Sequence, residues 1–396
     1  MNIKSSLMAV AVGLASLSLA NATNYIYMTG STAARGAVNN ALAAGVGFDH
    51  PPTVTAYGAS ASSSAQNASV LVFSNTVSGT PTIVKVDWSG SEAGIIDVSG
   101  SGTESFLLDP GANSDVPFVG STNTASVSSA DEIAHTVDLA MADNAITYSK
   151  TPSSTASAAL ANVIVPFVFV KTTTTITDQG SFTNLTADGF KILASGGDKL
   201  GLFTGNTTND TKYVYLAGRD DNSGTRVNVL DETGYGAGKS VNQIVLAGAT
   251  QAMVIQSGSV YYTDEGQASG GTLAKSLYDT TSATDQINGG TGFIAVAYLG
   301  MADDATAEGS SYGQATRLTY NGVAYSVAAV ENGTYTIWGN EYILNKSGAA
   351  SYVTALKSAL DNSTSGIANS AYNDGYEIPK PAMHVSRSGP LTSPVF

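Results

Sequence analysis

One short segment contains residue types that could bind an anion. Arg219 is followed, four positions later, by Ser223, Gly224 and Thr225. Residues 213–217 precede the segment and predict a β-strand, and an arginine at the end of a strand can donate two parallel hydrogen bonds to an oxyanion. The same arginine could instead form an ion pair with Asp220, Asp221 or another carboxylate. The segment alone leaves both interpretations open.

Two further loops have similar chemistry, each a small-residue turn between a predicted strand and a predicted helix. Ser31 and Thr32 lie in one of them, and Ser91 lies in the other. The first N–H groups of a helix have no partner within the helix and, with the helix dipole, favour a bound anion. An ordinary N-cap or glycine turn would have the same sequence, so neither loop decides the function by itself.

The segments around these loops alternate between strand-like and helix-like patterns. The predicted strands are residues 24–29, 69–73, 82–88, 161–170, 213–217, 292–299 and 335–344, and the predicted helices are residues 31–42, 186–195, 219–230 with its loop, and 351–360. Residues 133–143 predict a helix that runs into a buried strand. This alternation predicts an α/β fold in which helices cover a mostly parallel or mixed sheet.

Three features interrupt this alternation. Pro166 lies inside the apolar run 161–170 and favours an edge or crossing strand over one in the middle of a sheet. Residues 50–80 and 99–129 are rich in small and polar residues and are interpreted as insertions. The tail after Glu377 is predicted to be extended or loose.

Composition and charge limit the functions that are possible. The chain has 396 residues, with Lys+Arg 17, Asp+Glu 31 and a formal net charge of −14, and nothing in it resembles a basic patch for nucleic acid. It contains no cysteine, so disulfides, thiolate chemistry and a lipid-attachment cysteine are excluded. Its three histidines lie in unrelated contexts, and no nucleophile elbow, paired-histidine metal motif or phosphate-loop lysine is present. We therefore expect a protein that is not an enzyme and needs no cofactor or metal.

The first 22 residues predict export. A short positive start, an apolar stretch over residues 7–19 and small residues at 20–22 are typical of a cleaved secretory signal peptide. The apolar stretch is too short for a lasting membrane span. We expect a periplasmic or secreted protein that begins near Thr23 and is not anchored to a membrane.

Taken in order, these segments resemble the phosphate-binding proteins of bacterial phosphate importers, within the type II periplasmic binding proteins. Residues 219–225 match that family's Arg-x-x-x-Ser-Gly-Thr signature. Residues 29–32 are similar to its first loop, and residues 90–95 to its Gly-Ser-Gly-Gly loop, with Ser91 at the serine that contacts the anion. Residues 136–143 resemble its Thr-Val-Asp-Phe-Gly-Ala-Ser-Asp stretch, which puts Asp143 at the carboxylate that contacts phosphate. The resemblance extends in order over most of the mature chain.

The resemblance implies two α/β lobes joined by two hinge crossings, with a ligand cleft between them. Residues 1–22 would be the signal peptide, residues 23–165 plus 340–396 lobe one, and residues 166–339 lobe two. The implied ligand is inorganic phosphate or a similar oxyanion, and the implied partner is an importer permease. The ligand-binding residues implied are Ser31, Thr32, Ser91, Asp143, Arg219, Ser223, Gly224 and Thr225.

Some residues depart from the family pattern. Ala142 stands where a serine is usual, and Glu92 and Ala93 replace smaller residues in the second loop, which predicts a second carboxylate near the site. Asp143 could also be an ion-pair partner of Arg219 with no ligand between them. The alternative function is a secreted surface or matrix protein that retains this fold without transport.

Overall fold

The computed structural model describes residues 22–59, 64–109, 121–207, 210–256, 260–309, 311–372 and 375–387. The predicted signal peptide, apart from Ala22, lies outside the described residues, as do parts of both predicted insertions. Within the described ranges, no helix combines the length and the apolar character that a membrane crossing requires.

Strands and helices alternate along most of the described chain, which confirms the predicted α/β class. The strands are β1 (Asn24–Gly30), β2 (Thr53–Tyr57), β3 (Val70–Val77), β4 (Thr80–Asp87), β5 (Glu104–Leu107), β6 (Glu132–His135), β7 (Leu139–Ala142), β8 (Ser157–Lys171), β9 (Asn184–Leu185), β10 (Asp198–Lys199), β11 (Tyr213–Leu216), β12 (Ile294–Gly300), β13 (Thr316–Arg317), β14 (Thr319–Tyr320), β15 (Trp338–Asn345) and β16 (Ile378–Pro379). The helices are α1 (Arg35–Ala43), α2 (Ser91–Val98), α3 (Ala187–Ser195), α4 (Leu200–Thr204), α5 (Gly224–Glu232), α6 (Gly270–Ser276), α7 (Met301–Glu308), α8 (Val327–Glu331) and α9 (Ser351–Leu360).

Most strands belong to one mixed sheet in the order β10-β11-β12-β8-β15-β7-β1-β4-β3-β2. β1 runs parallel to both β4 and β7, and β11 runs parallel to β12, while β8 is antiparallel to β12 and to β15. The mixed sheet agrees with the prediction. It brings the ends of β1, β4 and β7 to one edge, where the loops before α1 and α2 begin.

β8 lies in the middle of this sheet, although its proline favoured an edge or a crossing strand. Pro166 pairs with Trp338 as the last residue of the β15 ladder, and the pairing with β12 begins at Phe167. A proline has no N–H to donate, and here it stands where one ladder ends. The edge alternative is therefore wrong, and the crossing alternative stays a prediction.

The apolar residues form two large clusters, and β8 contributes to both. Ala161 and Val163 belong to a cluster with residues of β1, α1, β3, β4 and α9. From Ile164 to Val170, the strand packs in a second cluster with residues of α3, β11, α5 and β12. β8 thus passes from one core to the other. The boundaries of the two lobes stay a prediction.

One local prediction is corrected by the structure. Residues 133–143 were predicted as a helix that runs into a buried strand. The strand is confirmed as β7, between β1 and β15, but the helix is wrong, because β6 stands in its place and pairs with β5. Of the tail after Glu377, residues 378–387 are described: β16 pairs with β8, and Arg387 forms an ion pair with Glu232 at 2.8 Å. The pairing of β16 agrees with the extended form predicted for the tail, and Ile378 packs in the second cluster.

Candidate functional site

Four of the predicted residues meet around one buried carboxylate, that of Asp143, just after β7. Ser91 Oγ, at the start of α2, donates a hydrogen bond to Asp143 Oδ1 at 2.7 Å. Thr225 Oγ1, in the first turn of α5, donates one to Asp143 Oδ2 at 3.1 Å. We call Ser91, Asp143, Gly224 and Thr225 the junction. It directs two helix N-termini and two hydroxyl groups at one negative group.

Gly224 makes the junction tight. A Cβ atom built on Gly224 would lie 1.7 Å from Asp143 Oδ1 and 2.6 Å from Ser91 Cβ. Any side chain at this position would collide with the carboxylate, so the start of α5 can approach α2 this closely only with glycine. In this arrangement the junction has no room for a phosphate ion.

Arg219 lies beside the junction and is fixed by backbone groups. Its Nε donates to Gln267 O at 3.1 Å and its Nη2 to Ala268 O at 3.0 Å. Its own N–H donates to the Tyr298 hydroxyl at 3.1 Å. No ion pair of Arg219 with a carboxylate, including Asp143, occurs within the described ranges. Lys150, rather than Arg219, pairs with Asp221.

The other three predicted residues have different surroundings. Ser223 is the N-cap of α5, and its Oγ accepts a hydrogen bond from the N–H of Arg226 at 3.2 Å. Ser31 is buried, and its N–H donates to Met141 O at 2.8 Å. Thr32 lines an open pocket next to the start of α1. Four of the eight predicted residues are therefore in direct contact with one another. Arg219, Ser31 and Thr32 lie outside this group, and Ser223 caps α5.

The second carboxylate predicted near the site, Glu92, has its own hydrogen-bond partners. Glu92 Oε1 accepts from Asn144 Nδ2 at 2.6 Å, and Oε2 accepts from the N–H of Lys150 at 2.7 Å. Both interactions hold the segment after Asp143 against α2. Burial raises the pKa of Glu92, and the charge of Asp143 adds to this, so Glu92 lies near the junction although its hydrogen bonds go to Asn144 and Lys150.

Sequence reasoning missed two residues beside the junction. Asn228 Nδ2 donates to Asp143 O at 2.6 Å and to Gly224 O at 3.1 Å, so it ties the two together. Glu341, in β15, is fully buried, and its carboxyl group lies near Ser31 and Asp143. The sequence did contain a signal for Glu341, because it is the one acidic residue in the predicted strand 335–344.

Burial controls the protonation of the acids here. It raises the pKa of Asp143, while hydrogen bonds from Ser91 and Thr225 and the charge of Arg219 lower it in part. Burial, with the charges of Asp143 and Glu377, raises the pKa of Glu341 well above its usual value. The site therefore combines donors for an anion with acids that hold protons readily.

Comparisons with solved structures find remote similarity. A putative phosphate ABC transporter substrate-binding protein with bound phosphate from Clostridium perfringens is 11% identical, with a TM-score of 0.44 over 85% of this chain and 93% of that chain. A possible phosphate-binding protein from Planctomyces limnophilus is 12% identical, with a TM-score of 0.43 over 91% and 95%. An ABC-type phosphate transport receptor from Vibrio cholerae is 14% identical, with a TM-score of 0.41 over 84% and 93%.

No protein-family model matches the chain, and no curated protein matches it. What the chain binds depends on its own side chains, whose contacts are described above.

Proposed function

We propose that this chain captures phosphate or a related oxyanion at the junction, outside the cytoplasm. One observation carries the proposal: two helix N-termini and the hydroxyl groups of Ser91 and Thr225 converge on a single buried negative group, the Asp143 carboxylate. Unpaired N–H groups and the helix dipole make such a place favourable for an anion. Arg219, held beside it by carbonyl groups, adds a positive charge, and it forms no ion pair with Asp143 within the described ranges.

Binding requires the two sides of the junction to separate. A tetrahedral oxyanion would enter between α2 and α5 and take the hydrogen bonds that Ser91 and Thr225 now give to Asp143. The two proposed lobes would part and close again around the ligand, with β8 and β15 as the crossings. In that state Asp143 would face the ligand directly.

Asp143 would then distinguish phosphate from sulfate. Phosphate near neutral pH carries a proton that a carboxylate can accept, whereas sulfate carries none. Sulfate would leave two negative groups facing each other without a shared proton, and this repulsion is costly in a buried site. We therefore infer a preference for phosphate. Delivery to an importer permease, after export by the signal peptide, completes the proposed role.

One observation favours the alternative, a secreted surface or matrix protein that does not transport. Ser91, Thr225 and Asp143 satisfy one another without any ligand. A junction of this kind could serve only to hold the molecule together. The two functions differ in whether oxyanions bind at all.

A thermal-shift screen of oxyanions on the mature protein tests the proposal. Because a ligand that binds only the folded state stabilises it, phosphate at one hundred times its Kd should add about 2.7 kcal/mol to the free energy of unfolding. We expect phosphate to raise the melting temperature and sulfate, at equal ionic strength, to leave it nearly unchanged. If no oxyanion shifts the melting temperature, the alternative function stands and phosphate capture is rejected.

A further inference from the structure

A polar pocket with a volume of about 350 Å³ opens beside Thr32 and is separate from the tight junction. This volume lies in the range of small-molecule sites, about 300 to 1,000 Å³. Orthophosphate alone is too small to fill it. The pocket therefore has space for a ligand that is larger than the phosphate ion.

The pocket contains a group of charged side chains. Arg35 and Lys275 line it together with Asp303. Burial raises the pKa of Asp303, and the charges of Arg35, Arg219 and Lys275 lower it in part. Asp303 and Arg219 also share a neighbour, because a Cβ built on Gly270 would lie 1.9 Å from Asp303 Oδ2 and 3.4 Å from Arg219 Nη1. The positive charge of the predicted anion site thus extends into this pocket.

The opposite wall comes from the two segments that the sequence marked as insertions. Asn67 and Ser69 come from the first segment, and Thr124 and Ser126 from the second. These side chains offer hydroxyl and amide groups, and the described lining contains neither an aromatic ring nor a large aliphatic side chain. A nucleobase or an acyl chain needs apolar surface, whereas a hydroxylated body matches this wall.

We propose that this pocket binds a phosphomonoester of a small sugar or polyol. The phosphoryl group would lie at the Thr32 end, within reach of Arg35 and Lys275, since guanidinium and ammonium groups bind phosphoryl oxygens strongly. The Asp303 carboxylate would accept a hydrogen bond from a ligand hydroxyl, and the insertion wall would contact the remaining hydroxyl groups. This inference rests on the proposed oxyanion capture and assigns a larger phosphorylated ligand to the pocket beside the junction.

Calorimetric titration of the mature protein with glucose 6-phosphate, orthophosphate and glucose tests the inference. We expect glucose 6-phosphate to bind about tenfold more tightly than orthophosphate, because its hydroxyl groups add hydrogen bonds to Asp303 and to the insertion wall. Glucose should not bind measurably, since it lacks the anionic group.

Two variants locate the binding. Lys275→Gln should weaken the binding of glucose 6-phosphate about tenfold. Lys191→Gln, which removes an equivalent charge on α3 away from the pocket, should leave the binding unchanged.

Ser126→Phe places a ring in the pocket from an exposed wall position and therefore leaves the core intact. It should weaken glucose 6-phosphate about tenfold and leave orthophosphate unchanged.

The outcomes separate this inference from the proposed function. If orthophosphate binds as tightly as glucose 6-phosphate and Ser126→Phe alters neither, the phosphomonoester pocket is overturned while oxyanion capture stands. If neither anion binds the parent protein, the proposed function fails, and this inference fails with it.

Discussion

At the scale of single residues, the candidate site depends on how Asp143 is surrounded. Its two carboxylate oxygens are taken by Ser91 and Thr225, and its backbone carbonyl by Asn228. Each partner comes from the start or the first two turns of a helix. Burying a carboxylate without such partners would destabilise the folded protein by several kcal/mol, so the three donors are needed to keep Asp143 buried.

Gly224→Ala is the direct test of how tightly the junction closes. The new methyl group would meet Asp143 Oδ1 at 1.7 Å, so α5 must move away from Asp143. We expect the free energy of unfolding to fall by about 1 to 3 kcal/mol in urea denaturation. Gly238→Ala is the matched control, because nothing lies within 4 Å of the methyl group there. Equal stability of both variants would show that the junction is not closed in solution.

Glu341 should make stability depend on pH. Because burial raises its pKa in the folded protein, the folded chain keeps a proton that the unfolded chain releases above about pH 4.3. The free energy of unfolding contributed by Glu341 therefore falls as pH rises from that value towards the folded pKa. Asp87, whose pKa burial raises to about 8, acts in the same direction.

Glu341→Gln should remove part of this dependence. The free energy of unfolding of the variant minus that of the parent should increase by more than about 1 kcal/mol as the pH is raised from 5 to 8. Each unit of pKa shift is worth about 1.4 kcal/mol. Thermal unfolding at both pH values measures this. Glu265→Gln, at an exposed position, is the control. Parallel curves for parent and Glu341→Gln would mean that the carboxyl group is not buried as described.

At the scale of elements, an irregularity between β8 and β15 determines where Glu341 points. Asn340 pairs with Ile164 and Tyr342 pairs with Leu160, so β8 has extra residues opposite Glu341. Asn162 lies in this bulge with a φ of +55°. A bulge redirects side chains near functional sites, and here it leaves Glu341 facing the interior near Ser31.

Substitutions of Asn162 measure the strain in the bulge. Its Nδ2 donates to Asp361 O at 2.6 Å, a hydrogen bond that both Asn162→Gly and Asn162→Ala remove. The Cβ atom of alanine is sterically unfavourable in the left-handed region, and glycine has no Cβ. We therefore expect Asn162→Ala to be less stable than Asn162→Gly by about 1 kcal/mol in urea denaturation. In an ordinary strand glycine is the weaker residue. A more stable alanine variant would therefore contradict the bulge.

The sequence predicts elements that have strong local signals. α3 and α5 begin where Thr186 and Ser223 accept hydrogen bonds from Gly189 N and Arg226 N, and such N-caps are visible in a sequence. The helix predicted at the start of residues 133–143 is wrong because a short run fits a helix or a strand, and only the pairing of β6 with β5 decides.

The residues of the site were predictable to different degrees. That the Arg219 to Thr225 segment lies next to Asp143 could be predicted, because both stretches resemble continuous motifs of one family, while their role in binding stays a prediction. Glu341 and Asn228 were not, because their place near Asp143 depends on strand pairing and helix packing between distant segments. The carbonyl partners of Arg219 likewise come from a distant loop.

At the scale of the whole molecule, the proposed anion site would have to work against the overall charge. The formal net charge is −14, so long-range electrostatics repel an anion and the attraction must come from nearby groups. Those groups are the junction with Arg219 beside it, and the cations around the neighbouring pocket. Both lie where segments of the two proposed lobes meet, which ties binding to closure.

The most direct test of this account is calorimetric titration of phosphate and sulfate into the mature protein near neutral pH. We expect phosphate to bind and sulfate to bind at least about a hundredfold more weakly, because an unpaired buried polar group costs about 1 to 3 kcal/mol or more when charged. Asp143→Asn should narrow that difference. Equal affinity for the two anions in the parent protein, or binding of neither, would contradict the account.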